Sequence, residues 1–226
     1  MPELLDTGLF ADANLLAYYR FNSGALTTDS TANARTLTNN NTVGETAGGK
    51  YGYSTDFSST NTDKTLSRAE DIWANGAISF VSWFKTYDNT QSNGLCLLPT
   101  ASTDRYLYAG VNNGTFSFSC ERVGVGVDSV SGTASMDNNW HHYGATLSGS
   151  AGNMILYHNG TSMGTTAVTA GTGTVGQANS YSIGRSDGAF MKGFIDDAAF
   201  FNRVLTATEM QAISVSSGMT LNTKYW

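Results

Sequence analysis

The sequence predicts an all-β fold, a jelly-roll sandwich of two antiparallel sheets with one short C-terminal helix. Three observations carry this. Charged residues are only 13% of the 226 residues, about half the usual share, and Gly, Ser, Thr, Asn and aromatics replace them. Two Asn-Gly pairs, Asn113-Gly114 and Asn159-Gly160, have the chemistry of two-residue type I′ hairpin turns. Thr206-Ala-Thr-Glu209 is a capping box, in which a hydroxyl and a carboxylate satisfy each other's backbone amides.

Strands are expected at residues 14–21, 36–39, 53–57, 64–68, 77–86, 94–98, 105–112, 115–122, 139–147, 153–158, 161–168, 180–184 and 190–202. The first carries apolar and aromatic side chains from Leu15 to Phe21. The next three are short and bounded by turn residues. Segment 77–86 is rich in β-branched and aromatic residues. The Asn-Gly turns join 105–112 to 115–122 and 153–158 to 161–168. In the last strand Ile195, Ala198 and Phe200 can pack while Asp196 and Asn202 stay polar. The helix that follows, to about Ser214, has Met210 and Ile213 three apart, which gives one short apolar stripe. Pro2 and Pro99 lie outside strand interiors, as a residue without a ladder donor must. Such short strands with tight turns suit a two-sheet jelly roll.

No internal repeat or long linker divides the chain. Residues 1–226 are read as one domain, with 1–13 and 215–226 as terminal extensions, and a core of this size needs no staples. The Asn113-Gly114 turn pairs Asn112 with Thr115 and hence Leu107 with Cys120. Cys96 then falls on the other side of the same middle strand. Two strand spacings separate the sulfurs by roughly 9–10 Å, beyond the reach of about 7 Å between α carbons that a disulfide allows. Two buried free thiols are expected.

The net charge of −6 argues against nucleic acid, because no basic stripe is available to release phosphate counterions. No run approaches the roughly 20 apolar residues of a membrane span. The start, Met1-Pro-Glu-Leu-Leu-Asp6, lacks the basic and apolar regions of a signal peptide. The apolar ends, Leu4, Leu5 and Phe10 on one side and Tyr225 and Trp226 on the other, are expected to pack on the domain or on a neighbouring subunit.

Four segments, taken in order, resemble laminin-G-like domains of the concanavalin A-like lectin and glucanase superfamily. Leu15-Leu-Ala-Tyr-Tyr-Arg-Phe21 with Asp29-Ser-Thr-Ala-Asn33 looks like the opening strand and its loop, although that loop lacks the usual Gly. Ala77-Ile-Ser-Phe-Val-Ser-Trp-Phe-Lys85 looks like the central strand. Trp140-His-His-Tyr-Gly-Ala-Thr146 with Leu156-Tyr-His-Asn-Gly-Thr161 looks like the Trp-His strand and following hairpin. Gly193 to Glu209 looks like the last strand and helix. The likeness spans about residues 14–214.

The resemblance implies non-catalytic recognition or adhesion, with a glycan or a protein surface as partner. It also implies calcium where the opening loop meets the last strand. Carried over by position, the ligands are Asp29 and Asp196, with Asn22 and backbone carbonyls assisting; hard oxygens are what this ion takes, in sets of six to eight. The competing reading has Asp29 capping a turn and Asp196 bonding loop amides.

For a ligand, the loop residues Asn112, Asp128 and Asp187 are candidates, since loops on rigid sandwiches carry function. Tyr106, Tyr108, Trp83, Trp140 and Tyr143 offer aromatic faces for a sugar, though such strand residues usually pack the core. A second class stays open: a virion decoration or tail-associated protein held by its surface and ends, in an oligomer or among virion or cell-surface subunits. The expected location is an extracellular surface or a virion.

Glycoside hydrolysis ranks low. It needs two carboxylates roughly 5–10 Å apart across a bond, and no Glu-x-Asp-x-x-Glu run exists. Asp196 and Asp197, being adjacent, are expected on opposite faces of their strand, and Glu70-Asp71 reads as a loop. His141, His142 and His158 have neither triad nor zinc spacing and are read as structural.

Overall fold

A computed structural model describes residues 8–58, 63–73, 76–86, 92–99, 106–122, 126–133, 137–149, 152–169, 180–186 and 188–215. After a 3-10 turn at Leu9–Ala11 come β1 (Leu15–Tyr19), β2 (Thr38–Asn40), β3 (Gly44–Gly49), β4 (Gly52–Asp56), β5 (Thr65–Arg68) and β6 (Ile78–Thr86). Next are β7 (Ser92–Pro99), β8 (Tyr106–Asn112), β9 (Thr115–Arg122), β10 (Gly126–Thr133) and β11 (His141–Leu147). The chain continues through β12 (Asn153–His158), β13 (Thr161–Ala167), β14 (Tyr181–Ile183), β15 (Arg185–Ser186), β16 (Ala189–Phe190), β17 (Gly193–Phe201) and α1 (Ala207–Val215).

Two antiparallel sheets form the sandwich. One has six strands in the order β1-β17-β6-β11-β12-β13, the other seven in the order β10-β9-β8-β7-β14-β5-β2. Strand alternation sends every second residue inward. Ile78, Phe80 and Phe84 of β6 and Ile195, Ala198 and Phe200 of β17 meet Leu107, Ala109 and Val111 of β8 and Phe116 and Phe118 of β9 in one core. The outer face of the six-stranded sheet is covered too: Val81, Tyr157, Ala199 and Phe201 pack with Leu205 and with Met210 and Ile213 of α1.

The capping box forms as its spacing requires. The Thr206 amide donates to Glu209 Oε2 at 2.7 Å and the Glu209 amide to Thr206 Oγ1 at 3.2 Å. Arg203 adds a second grip, donating to Glu209 and, through Nε, to Asp12 Oδ2 at 2.7 Å. Leu107 pairs with Cys120 and Cys96 with Ala109, so the cysteines flank β8; both are free and buried, and burial pushes the Cys96 thiol up.

The expected 190–202 strand is broken into β16 and β17, and the β15–β16 hairpin is unexpected; three further features differ from expectation. β3 has a glycine-rich sequence without apolar alternation and exists by pairing with β4. β10 carries little apolar signal beyond Val127 and Val130; it pairs with β9 from Arg122 to Thr115. The third is a bulge in β17 between Asp196 and Ala199. Asp197 takes the extra position, with φ of 54°, in the manner of a bulge that leaves one residue unpaired. The expected split of the two carboxylates to opposite faces therefore fails. Asp196 stands beside Trp83 on the outer face and accepts from the Tyr51 amide at 2.9 Å, while Asp197 accepts from the hydroxyl of Tyr18, a residue of the outer cluster.

Candidate functional site

On the outer face of the seven-stranded sheet, β8 and β9 set neutral polar side chains side by side. Tyr108, Gly110 and Asn112 of β8 stand beside Ser119, Ser117 and Thr115 of β9. The short β15–β16 hairpin lies over this face. It can do so because Gly94 and Gly110 have no side chains: a β carbon at Gly94 would stand 2.0 Å from the Ser186 nitrogen, and one at Gly110 would stand 3.0 Å from the Asn93 carbonyl oxygen and 3.3 Å from Ser186 Oγ. Asn93 anchors the segment that follows, accepting from the Lys192 amide at 2.9 Å.

Between hairpin and sheet is an open depression with a cavity volume of about 130 Å³, lined by Asn93, Tyr108, Gly110, Asn112, Ser117 and Ser186 among others. The described lining contains no charged side chain. Its more exposed groups are the Asn112 amide and the Ser117 hydroxyl, which both donate and accept, and one half-buried tyrosine ring.

Two of the residues singled out from sequence, Tyr108 and Asn112, meet here. Asp128 does not. It shares the face of Val130, a core residue, and its carboxylate holds the Thr169 amide at 3.0 Å and the Thr169 hydroxyl at 2.8 Å. Tyr106 opens β8, but its side chain, like all of Asp187, lies outside the described residues. Trp83 and Tyr143 are buried, so neither presents a face to a ligand. Trp140 packs against Phe194 with ring centroids 6.3 Å apart. Phe10 sets its ring edge-on to Tyr18, while Leu4, Leu5, Tyr225 and Trp226 lie outside the described residues.

The carboxylates named as metal ligands are engaged separately. Asp29 Oδ1 accepts from the amides of Tyr18 and Thr31, and Oδ2 from the Thr31 hydroxyl and the Arg35 amide, at 2.9–3.0 Å. Its four acceptor directions thus hold the opening loop against β1. Asp196 bonds the turn of the β3–β4 hairpin. Burial lowers the pKa of the Lys50 ammonium, which lies 3.9 Å from the Trp83 ring centroid, and the Asp196 charge offsets this only in part. Asn22 accepts the Ala25 amide through its carbonyl, closing a turn. Among the described residues no cluster of three or more His, Cys, Asp or Glu could hold a metal ion.

Glu70 is bound by the guanidinium groups of Arg35 and Arg68, and Asp71 by the Trp73 amide. Sequence reasoning missed one titratable chain. Asp137 Oδ1 bonds His141 Nε2, and His141 Nδ1 shares a hydrogen bond with His158 Nε2, each at 2.9 Å. Burial first, then neighbouring His141, lowers the His158 pKa to about 4, against the opposing pull of Asp137. His142, on the other face, is buried and lowered to about 3, by burial and then by His158 and Lys50. Only the register of β11 against β12 brings His141 beside His158, so no sequence spacing could have shown it.

Solved structures of botulinum neurotoxin binding domains share this fold. The DC domain in complex with rat synaptotagmin II superposes with a TM-score of 0.71 at 13% identity, over 92% of this chain and 52% of that one. The same domain in complex with SialylT gives 0.71 at 12%, over 92% and 52%. Type C toxin, whose cell entry is described as dependent upon interaction with two ganglioside molecules, gives 0.72 at 13%, over 92% and 52%. The chain thus spans about half the length of these neighbours. No curated protein matches it. A profile of the concanavalin A-like lectin/glucanases superfamily matches residues 58–211, most of the sandwich from before β5 into α1, and the chain belongs to that superfamily.

Proposed function

We propose that this domain is a non-catalytic recognition module that binds a glycan in the depression between β8, β9 and the β15–β16 hairpin. The observation that carries the reading is the lining itself: Tyr108, Asn112, Asn93, Ser117 and Ser186 converge on an open concave site. Sugars present C–H faces that lie on an aromatic ring and hydroxyls that both donate and accept, so a ring with amides and serine hydroxyls suits them. Sites of this type place a few polar groups at fixed positions on a rigid scaffold.

Catalysis of glycoside cleavage finds no support in the carboxylates described. Asp196 and Asp197 are buried and bonded to Tyr51 and Tyr18, and none of the described lining residues is a carboxylic acid. The structural neighbours include a binding domain in complex with SialylT or with rat synaptotagmin II, and a toxin whose cell entry is dependent upon interaction with two ganglioside molecules. That favours recognition, although at 12–13% identity the likeness is one of fold, and fold alone does not assign function. A glycan array with the intact chain tests the reading. Binding to a defined set of glycans, lost in Tyr108→Ala and Asn112→Ala, is expected. Binding to none, or binding that survives both substitutions, would refute it.

A further inference from the structure

Resting on the glycan reading, we infer that the depression selects an uncharged terminal sugar and rejects acidic ones. Its described lining residues, Asn93, Tyr108, Gly110, Val111, Asn112, Ser117, Ser186 and Ala189, are all neutral. A carboxylate or sulfate entering it would lose water and meet no cation among the described lining residues, and an unpaired charge moved out of water costs far more than a hydroxyl that keeps its hydrogen bonds. A neutral sugar escapes this cost, because its hydroxyls exchange water for the amides and hydroxyls of the lining.

Neither Arg185 nor Lys192, the described basic groups closest along the chain, is among the described lining residues. Arg185 is exposed and lies 5.4 Å from the Phe190 ring centroid. Lys192 follows the hairpin, and its backbone amide rather than its side chain meets the site residue Asn93. The cavity volume, about 130 Å³, is below the roughly 300–1,000 Å³ of ligand pockets, so it suits one terminal sugar rather than an extended chain.

The test uses the full chain against matched glycans that share one core and end in galactose, in sialic acid or in a sulfated galactose. The proteins are the wild type, Asn112→Ala and Asn112→Lys. Asn112 is exposed at the end of β8, and unchanged melting temperatures would show that the variants fold.

The wild type should bind the neutral glycan at least about tenfold more tightly than either acidic one, a gap of about 1.4 kcal/mol. Asn112→Ala should lose the neutral glycan. Asn112→Lys, which supplies the missing cation, should narrow or reverse the preference. A wild type that prefers an acidic glycan, and loses it in Asn112→Ala, would overturn this inference while leaving glycan recognition at the site intact. Binding of no glycan, or binding indifferent to Asn112, would overturn both.

Discussion

Gly94 lies directly under the backbone of Ser186: a β carbon there would stand 2.0 Å from the Ser186 nitrogen and 2.4 Å from the Ala189 carbonyl oxygen. This contact seats the β15–β16 hairpin on the seven-stranded sheet and so creates the wall of the depression.

Gly94→Ala should therefore displace the hairpin. Backbone, not a flexible side-chain tip, is what the new methyl meets, and overpacking of this kind costs about 1–3 kcal/mol. Gly110→Ala meets Asn93 and Ser186 at 3.0–3.3 Å and should cost less, while still filling the floor of the site. Chemical denaturation together with glycan binding checks this. Equal stability of Gly94→Ala and wild type would mean that the hairpin is not seated there.

Asp29→Ala should destabilise the fold through its stranded donors. Three amides and a hydroxyl lose their acceptor, and hydrogen bonds to a charged group contribute about 1.5–3 kcal/mol each before solvent repairs some of them. The loss should be the same in calcium and in chelator, because the carboxylate is engaged by Tyr18, Thr31 and Arg35. A larger loss in calcium than in chelator would instead make Asp29 a metal ligand.

Acid should weaken the fold through its histidines. His158 and His142 are held neutral, at about 4 and about 3, whereas an unfolded histidine titrates near 6.5. Below about 6.5 the unfolded chain takes up protons that the fold resists, so the stability these groups contribute is complete above that pH. It falls as pH drops through about 4 for His158 and about 3 for His142. Denaturation midpoints measured from pH 7.5 down to 4 should decline, and His142→Phe should flatten the decline. An unchanged slope in that variant would show that His142 does not carry the effect.

Glu209→Ala should cost more than Thr206→Ala. Loss of a cap costs about 1 kcal/mol, and Glu209 also holds Arg203, which in turn holds Asp12. The carboxyl is held down at about 2 by the Arg203 hydrogen bonds first, and then by the Thr206 amide and hydroxyl, against the upward push of burial. This contribution is therefore present above about 4 and lost as pH falls towards 2. Equal losses in the two variants would reduce the Arg203 link to a contact without energetic weight.

Cys96 and Cys120 should react with a thiol reagent only on unfolding, and a reductant should leave the melting temperature unchanged. Both are buried, and they stand on opposite sides of β8. Rapid labelling of the native protein would contradict that burial.

The local rules were legible in the chain. Asn113-Gly114 set the register of β8 against β9, and with it the separation of the cysteines. Thr206 and Glu209 marked the start of α1, and the β17 sequence marked a strand running into it. These features depend on neighbours a few residues away, which the sequence displays directly. Tyr108 is legible as an aromatic strand residue and Asn112 as a residue beside the Asn113-Gly114 turn, while their meeting at one site is not.

What the tertiary structure decided is which distant segments share that face. β10 carries too little apolar pattern to announce itself and exists because β9 offers an edge. The Asp196–Asp197 bulge, the pairing of His141 with His158, and the fall of the β15–β16 hairpin onto Gly94 and Gly110 all rest on registers between segments far apart in the chain. A shift of one residue in any such register would turn the side chains to the other face. The fold class was therefore written locally, while the depression comes into being only when the sheets have closed.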